Sequence, residues 1–168
     1  MENILTGRAH IFGDNINTDY IIAGKYTKTL DFTTLAEHVF EDIAPGFSQR
    51  VRPGDIVAAG RNFGCGSSRE QAPIAIKYAG ISAILAKSYS RIFFRNAVNQ
   101  GIPCFLCDTD DIVQDDTVTV NIGQNFVELA EKGKRIPLEP LSPVMLDILR
   151  EGGLVEYLKK NGKYILPR

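Results

Sequence analysis

Hydrophobic positions along the first two thirds of the chain follow two different spacings, and each spacing predicts a different element. Short apolar runs bounded by turn residues predict strands at 8–12, 55–59, 81–86 and 102–106. Apolar positions three and four apart predict helices at 33–40, from about 67 to 78, and at 91–99. The run at 81–86 is almost continuously apolar, which is typical of a central strand buried on both faces. Alternating strands and helices predict an α/β fold with parallel pairing.

The last third of the chain carries a different pattern. Residues 117–122 and 125–129 alternate in polarity around Gly123 and Gln124, which predicts a β-hairpin. Ser142 and Pro143 are a favourable N-cap and first residue for a helix that reaches Arg150. A pair of glycines follows, and a last short helix is predicted at 154–160. The predicted fold class is therefore mixed α/β.

Length and charge narrow the possibilities further. A chain of 168 residues can bury a real core, and we expect one domain over residues 1–168. The net charge of −1 gives no reason to expect nucleic acid or a membrane surface as a partner. No apolar run approaches the roughly 20 residues of a membrane helix. The start MENILTGRAH has no signal-peptide pattern, so a cytoplasmic location is expected.

Three cysteines raise the question of a metal site. Cys65, Cys104 and Cys107 could in principle hold an iron–sulfur cluster with one open iron. Cys104 and Cys107 lie in a predicted short strand or at its end, however, and residues three apart in a strand point to opposite faces. We therefore expect structural cysteines, and metal ligation within this chain is the less favoured alternative.

The glycine-rich stretch at 60–70 is the most informative part of the sequence. If a helix begins near Ser67 or Ser68, its free amides make an anion site, to which Arg69 adds a fork for a carboxylate. The spacing fits neither a Walker loop nor a dinucleotide fingerprint. An alternative is a plain helix start, in which Ser67 or Ser68 and Glu70 form a capping box. The two interpretations are compatible.

A serine in this stretch has no obvious histidine to activate it. His10 falls in a predicted strand and His38 on a predicted helix face, and we expect both to be structural. A serine alkoxide would instead need stabilisation by backbone amides and arginine. A second polar stretch, 13–19, leads into a loop in which Lys25 and Lys28 could complement an anionic ligand, although a solvated turn is the simpler interpretation.

Three stretches together carry a family resemblance. GDNINTDYI, the block ending in GSSRE, and AKSYSRIFFRNAVNQGIP resemble the small subunits of isopropylmalate dehydratase, and more distantly the swivel domain of aconitase. The closing EGGLVEYLKKNG is similar as well, so the resemblance covers nearly the whole chain. It implies a single swivel domain in three layers, β/β/α, with a barrel-like mixed sheet and flanking helices.

The resemblance also implies how the chain works. Such a chain is the small subunit of a two-subunit hydro-lyase, in a heterodimer or heterotetramer. A large subunit holds a [4Fe–4S] cluster whose open iron binds the hydroxyl of a small dicarboxylate substrate. Ser67 is implied as the base that removes a proton from the neighbouring carbon. Ser68 helps to stabilise negative charge, and Arg69 binds a carboxylate. We expect a partly apolar exposed face around these residues, where the large subunit docks.

Substrate choice is implied to depend on the loop Tyr26, Thr27, Lys28 and Thr29. Isopropylmalate enzymes often present apolar residues there, whereas homoaconitase-type subunits place an arginine where Lys28 stands. Isomerisation of 2- and 3-isopropylmalate in leucine biosynthesis is the expected activity. A homoaconitase or dimethylmalate-type dehydratase is the alternative within the class. A stand-alone anion-binding module is the alternative from another class.

Overall fold

The computed structural model describes residues 1–163 and contains one seven-stranded sheet with seven helices in this range. The strands are β1 (Ile4–Ile11), β2 (Ile56–Ala59), β3 (Ala83–Ala86), β4 (Cys104–Leu106), β5 (Thr117–Asn121), β6 (Phe126–Leu129) and β7 (Lys134–Pro137). The helices are α1 (Thr18–Ile21), α2 (Phe32–Glu37), α3 (Phe47–Arg50), α4 (Gln71–Tyr78), α5 (Arg91–Asn99), α6 (Pro143–Arg150) and α7 (Leu154–Asn161).

The sheet is parallel in one half and antiparallel in the other. Its strand order is β4-β3-β2-β1-β5-β6-β7. Strands β1 to β4 pair in parallel, as the α/β pattern predicts, while β5 pairs antiparallel with β1 and continues into β6 and β7. The hairpin predicted around Gly123 is confirmed. Strand β1 therefore joins the two halves.

Two hydrophobic cores lie on opposite faces of the parallel half. Val57 and Ile84 face the first core, which they share with residues of α2, α4 and α5. Their neighbours Ile56 and Leu85 face the second core, where they meet Val120 and Val127 of the antiparallel half. Because the antiparallel strands cover the second core, the sheet folds back on itself. The order is antiparallel strands, parallel strands and helices, so the expected three-layer β/β/α arrangement is confirmed.

Most predicted elements are present. Helix α5 has the predicted bounds, and α6 begins at the predicted cap, where the Ser142 hydroxyl accepts from the amide of Met145 at 3.4 Å. Strand β1 is longer than predicted and β4 shorter. The pattern missed β7, α1 and α3, which have only four residues each and therefore little periodicity. The expected domain over residues 1–168 extends beyond the described range. No helix among residues 1–163 is long and apolar enough to span a membrane.

Candidate active site

Three polar loops follow the carboxyl ends of three neighbouring parallel strands. We call them the asparagine loop (13–19, after β1), the serine loop (60–70, after β2) and the tyrosine loop (87–90, after β3). Because β1, β2 and β3 pair in parallel, the loops meet at one edge of the sheet. In open α/β sheets, ligands bind at this edge. The fold thus brings together the two polar stretches at 13–19 and 60–70 and the start of the block AKSYSRIFFRNAVNQGIP.

The asparagine loop runs alongside the serine loop and is bonded to it along its length. The amide of Asn15 donates to the Arg61 carbonyl at 2.8 Å, and the amide of Gly64 donates to the Ile16 carbonyl at 2.7 Å. Thr18 makes the last contacts, with its amide on the Cys65 carbonyl and its hydroxyl on the Ser67 carbonyl at 2.8 Å. The backbone of Ser67 is therefore held by a residue 49 positions earlier in the chain.

The tyrosine loop holds the other side of the serine loop. The amide of Asn62 donates to the Ser88 hydroxyl at 2.7 Å, and the amide of Phe63 donates to the Ser88 carbonyl at 3.0 Å. The Phe63 ring is fully buried and makes edge contacts with Tyr89 and Phe93. The serine loop is therefore fixed between two neighbours, while its tip at Ser67 and Ser68 is exposed.

The predicted start of the helix after the serine loop is wrong. Helix α4 begins at Gln71, and Glu70 precedes it without any side-chain cap, so the capping box with Ser67 or Ser68 does not form. The reason is tertiary: Thr18 draws the carbonyls of Cys65 and Ser67 into bonds between loops, and Gly66 has a φ of +90°. The Ser67 carbonyl, which would accept from the Gln71 amide in a helix that began there, accepts from the Thr18 hydroxyl instead.

Ser67 and Ser68 lie at the exposed tip of the loop. Within residues 1–163, neither hydroxyl has a hydrogen-bond partner, and the backbone amides of Ser67, Ser68 and Arg69 have no protein acceptor. Unpaired amides in succession are suited to an anion. Free amides of the kind predicted at a helix N-terminus therefore lie in the loop before α4.

Arg69 is already bound to a carboxylate of its own chain. Its Nη2 contacts Asp19 Oδ1 at 2.5 Å, and its Nη1 donates to the Ile22 carbonyl at 3.4 Å. Asp19 is half exposed, whereas Arg69 is mostly covered. A guanidinium has five N–H donors, so two bonds leave others for a ligand. Asp19 orients Arg69, and the sequence held no local signal of this pair because the two residues are 50 positions apart.

The loop at 23–29, which we call the lysine loop, lies beside the serine loop. Gln71 donates from Nε2 to the Thr27 carbonyl at 3.1 Å. A Cβ on Gly24 would come within 3.3 Å of Arg69 Nη1, so the arginine packs against this part of the loop. The structure therefore brings Tyr26, Thr27, Lys28 and Thr29 into the same region as the serines.

The side chains of the lysine loop differ in their contacts. The Tyr26 hydroxyl donates to Glu41 at 3.2 Å, and Lys25 pairs with the same carboxylate at 3.8 Å. A hydrogen bond from His38, with help from Tyr26 and Lys25, holds the pKa of Glu41 below its usual value against a smaller effect of burial. Thr27 and Thr29 bond to backbone atoms of the loop itself or its neighbour Asp31. Lys28 is exposed, and nothing within residues 1–163 bonds to it.

The histidines and cysteines occupy other places. His10 lies in β1 as predicted, is buried, and donates from Nε2 to Asp55 at 2.7 Å. Helix α2 ends before His38, which stands at its C-cap and stacks on Tyr26.

Cys104 faces the first core, whereas Cys107 faces the second, so the prediction of opposite faces is confirmed. Burial raises the pKa of Cys104 strongly and that of Cys107 to about 12.

These thiols do not fit an iron–sulfur cluster. A cluster requires thiolates that converge on one point, and Cys104 and Cys107 lie on opposite faces of the sheet. Among residues 1–163, no three side chains of His, Cys, Asp or Glu are grouped so that they could hold a metal ion.

Comparison with known proteins adds a family to this geometry. The family described as the aconitase C-terminal domain matches residues 50–105, which include the whole serine loop. A 3-isopropylmalate dehydratase small subunit 2 from Archaeoglobus fulgidus is 50% identical, over 94% of this chain and 96% of its own. A methanogen homoaconitase small subunit from Methanothermobacter thermautotrophicus is 47% identical, over 95% and 94%.

A solved structure gives the same answer for the fold. The crystal structure of a 3-isopropylmalate dehydratase from Methanocaldococcus jannaschii superimposes with a TM-score of 0.92 at 47% identity. The superposition covers 95% of each chain.

Proposed function

The chain belongs to the family of 3-isopropylmalate dehydratase small subunits, and from this premise we propose that it supplies the base and the carboxylate site of a two-subunit hydro-lyase. The proposed reaction is the isomerisation of 2- and 3-isopropylmalate by dehydration and rehydration, a step of leucine biosynthesis in the cytoplasm. The observation that carries the proposal is the exposed pair Ser67 and Ser68. Their loop is held by hydrogen bonds to the asparagine loop and the tyrosine loop, and Arg69 beside them still has free N–H donors.

In this proposal the serine loop performs the proton transfer. As an alkoxide, Ser67 Oγ takes the proton from the carbon beside the hydroxyl-bearing carbon while that hydroxyl leaves, and it returns the proton when water adds back. The free amides of the loop and the hydroxyl of Ser68 stabilise the negative charge that develops. Arg69 binds a substrate carboxylate through the donors that Asp19 and Ile22 leave free. Since Thr18 fixes the Ser67 carbonyl, the base is positioned before substrate arrives.

The lysine loop is proposed to select the substrate. Exposed Lys28 would lie against the variable group of the hydroxy acid, with Tyr26, Thr27 and Thr29 forming the rest of the surface. A lysine can pack its stem on an isopropyl group while its ammonium stays in water. Lys28 can also pair with an additional carboxylate, so homoaconitate is the second candidate substrate. The 47% identity to a homoaconitase small subunit supports this candidate. A dimethylmalate-type acid fits the same description.

The family implies an iron–sulfur cluster, and we propose that the large subunit holds it. The cysteines of this chain do not fit that group, as their burial and opposite faces argue. A docking face for the large subunit is supported by exposed apolar side chains near the serine loop. Tyr20 and Ile92 are each about half exposed, and Leu30 at the end of the lysine loop is 90% exposed. Exposed apolar groups around a polar site are typical of an interface.

The experiment that tests the function is co-expression with a cluster-binding large subunit, followed by an anaerobic assay. Hydration of isopropylmaleate and of homoaconitate is measured with the purified complex. We expect faster turnover of isopropylmaleate. Faster turnover of homoaconitate would instead identify the tricarboxylate as the substrate. Absence of both complex and activity, together with anion binding by the chain alone, would favour the stand-alone binding module.

Replacement of Ser67 by alanine tests its role as the base. We expect turnover to fall by at least 1000-fold, because the variant lacks the oxygen that is proposed to accept the proton. Complex formation should be unchanged, since the bond that holds this residue uses its carbonyl, which alanine retains. Ser48→Ala, in helix α3, serves as the matched control because its hydroxyl has no partner within residues 1–163. Lost assembly in Ser67→Ala would indicate a structural role instead.

A further inference from the structure

The lysine loop has little to hold it in place by itself. Its internal bonds are those of a short turn, such as Tyr26 amide to Ala23 carbonyl and Thr27 amide to Gly24 carbonyl. Lys28 is exposed, and the residue that ends the loop, Leu30, is 90% exposed. The position of Lys28 therefore depends on side chains that other elements extend to the loop.

One such side chain is Glu41, which follows α2 and contacts the loop at Lys25 and Tyr26. The Tyr26 hydroxyl donates to Oε1 at 3.2 Å, and Lys25 lies 3.8 Å from the same oxygen. His38 bonds to the other oxygen of Glu41 and stacks on the Tyr26 ring, with centroids 3.8 Å apart and planes 7° from parallel. Glu41 thus bonds to Lys25, Tyr26 and His38 and holds the first half of the loop.

The other side chain is Gln71, the first residue of α4. Its Nε2 donates to the carbonyl of Thr27 at 3.1 Å, directly before Lys28. Gln71 stands two residues after Arg69, which packs against Gly24 at the other end of the same loop. The helix that directly follows the serine loop therefore holds the second half of the lysine loop.

We infer that Glu41 and Gln71 are positioning residues that clamp the lysine loop and so set where Lys28 meets the substrate. Glu41 anchors Tyr26, Gln71 anchors Thr27, and the backbone between these anchors and Lys28 is one or two residues long. The clamp couples the loop that selects the substrate to the loop that carries Ser67. This inference rests on the proposed function, in which the lysine loop contacts substrate and the serine loop performs the chemistry.

The first test uses Gln71→Glu in the two-subunit complex. The variant keeps the shape of the side chain but replaces the N–H donor by a carboxylate oxygen, which repels the Thr27 carbonyl. We expect KM for the hydroxy acid to rise about fivefold to tenfold, with kcat changed less than twofold, because substrate placement is altered while Ser67 is not. Gln49→Ala, an exposed glutamine in α3 without a partner within residues 1–163, is the matched control and should behave as wild type.

Glu41→Ala tests the other half of the clamp. It removes the acceptor for Tyr26 and the partner of Lys25 and His38, and a similar rise in KM is expected. Glu41→Gln keeps an acceptor for the Tyr26 hydroxyl and should recover most of the loss. Glu37→Gln, one turn earlier in α2 and exposed, is the matched control. An equal fall in kcat and rise in KM for both clamp variants would contradict a positioning role.

Hydrogen exchange on the chain alone gives a measurement that is independent of activity. The amides of Tyr26, Thr27 and Thr29 should exchange about fivefold faster in Gln71→Glu and Glu41→Ala, since about 1 kcal/mol of hydrogen bonding is lost in each. Exchange in β2 and β3 should not change, which also shows that the variants fold. Unchanged exchange in the loop would overturn the clamp.

The two measurements separate the failure of the clamp from that of the proposed function. If the wild-type complex is inactive on every acid, the proposed function fails, and loop exchange still decides the clamp. If wild type is active but both variants keep its KM and its loop exchange, the clamp is wrong and the function stands.

Discussion

At the residue scale, Gly64 illustrates how tightly the serine loop is packed. Its φ is +75°, a conformation that side chains rarely adopt. A Cβ placed there would lie 2.1 Å from Cγ of Phe93 in α5, far inside van der Waals contact. The backbone of the loop thus touches a buried ring directly. Glycine is required here for its conformation and for its size.

Replacement of Gly64 by alanine separates these two requirements when it is compared with Gly133→Ala. Gly133 also has a left-handed conformation, with φ +59°, but nothing lies within 4 Å of a Cβ there. We expect Gly133→Ala to lower the free energy of unfolding by about 1 kcal/mol. Gly64→Ala should cost about 3 kcal/mol or more, because displacement of Phe93 adds to the backbone strain. Urea unfolding of both variants measures the difference, and equal losses would show that the contact with Phe93 relaxes freely.

At the element scale, two helix starts show when a local signal is sufficient. Helix α6 begins where Ser142 and Pro143 predict, and the cap bond is made by residues three apart. Helix α4 does not begin at Ser67 or Ser68, although the glycines and serines there have the composition of a helix start. Contacts with Thr18 outweigh the local preference, and the helix begins only where those contacts end.

The value of the α6 cap can be measured against another N-cap serine of the same chain. Ser142 accepts a hydrogen bond from Met145, whereas Ser90, the N-cap residue of α5, makes no side-chain cap bond. We expect Ser142→Ala to lower the free energy of unfolding by about 1 kcal/mol, and Ser90→Ala by a few tenths. Thermal and urea unfolding of the two variants are the measurements. A larger loss in Ser90→Ala would mean that packing, not capping, determines both values.

At the scale of the whole molecule, Asp55 connects the central strands. It precedes β2 and accepts hydrogen bonds from His10 of β1 at 2.7 Å and from the amide of Arg52 at 2.9 Å. Arg8 Nη2 lies 3.3 Å away, and the Asp55 side chain is only 7% exposed. The carboxylate is thus a buried acceptor for groups from both sides of the β1–β2 pair. Its loss would leave the His10 ring N–H without its acceptor and would remove one of the partners of Arg8, which also donates to the Arg50 carbonyl.

This network predicts a pH dependence of the free energy of unfolding. Burial raises the pKa of Asp55, but the bonds from His10, Arg52 and Arg8 outweigh it, and the pKa lies below the ordinary value of 3.8. A lowered carboxyl pKa contributes stability above the ordinary value, and this contribution is lost as the pH falls through the folded value. Asp55→Asn should therefore cost about 2–3 kcal/mol near pH 7 and progressively less below about pH 4.

Urea unfolding of wild type and Asp55→Asn between pH 3 and 7 measures this difference. Asp42→Asn, an exposed acid after α2, is the matched control and should follow wild type at every pH. A cost of Asp55→Asn that stays constant from pH 7 to pH 3 would show that the charge of this carboxylate is not what stabilises the β1–β2 pair.

The sequence by itself determined the strands and helices with clear periodicity, the parallel α/β core and the hairpin, and it identified Ser67 to Arg69 as candidate site residues. Each of these depends on residues a few positions apart, so local preference and hydrophobic spacing suffice to predict them. The resemblance to a known family supplied the three layers, and it supplied the roles that we propose for the site residues.

Only the tertiary structure decided how the site is assembled. The bonds of Thr18 to Ser67, Asp19 to Arg69 and Gln71 to Thr27 join residues 44 to 50 positions apart. No local pattern encodes such contacts, because they arise when parallel strands bring distant loops to one edge of the sheet. The late start of α4 has the same cause, since bonds between loops replace the bonds of the helical turn that the local sequence predicts.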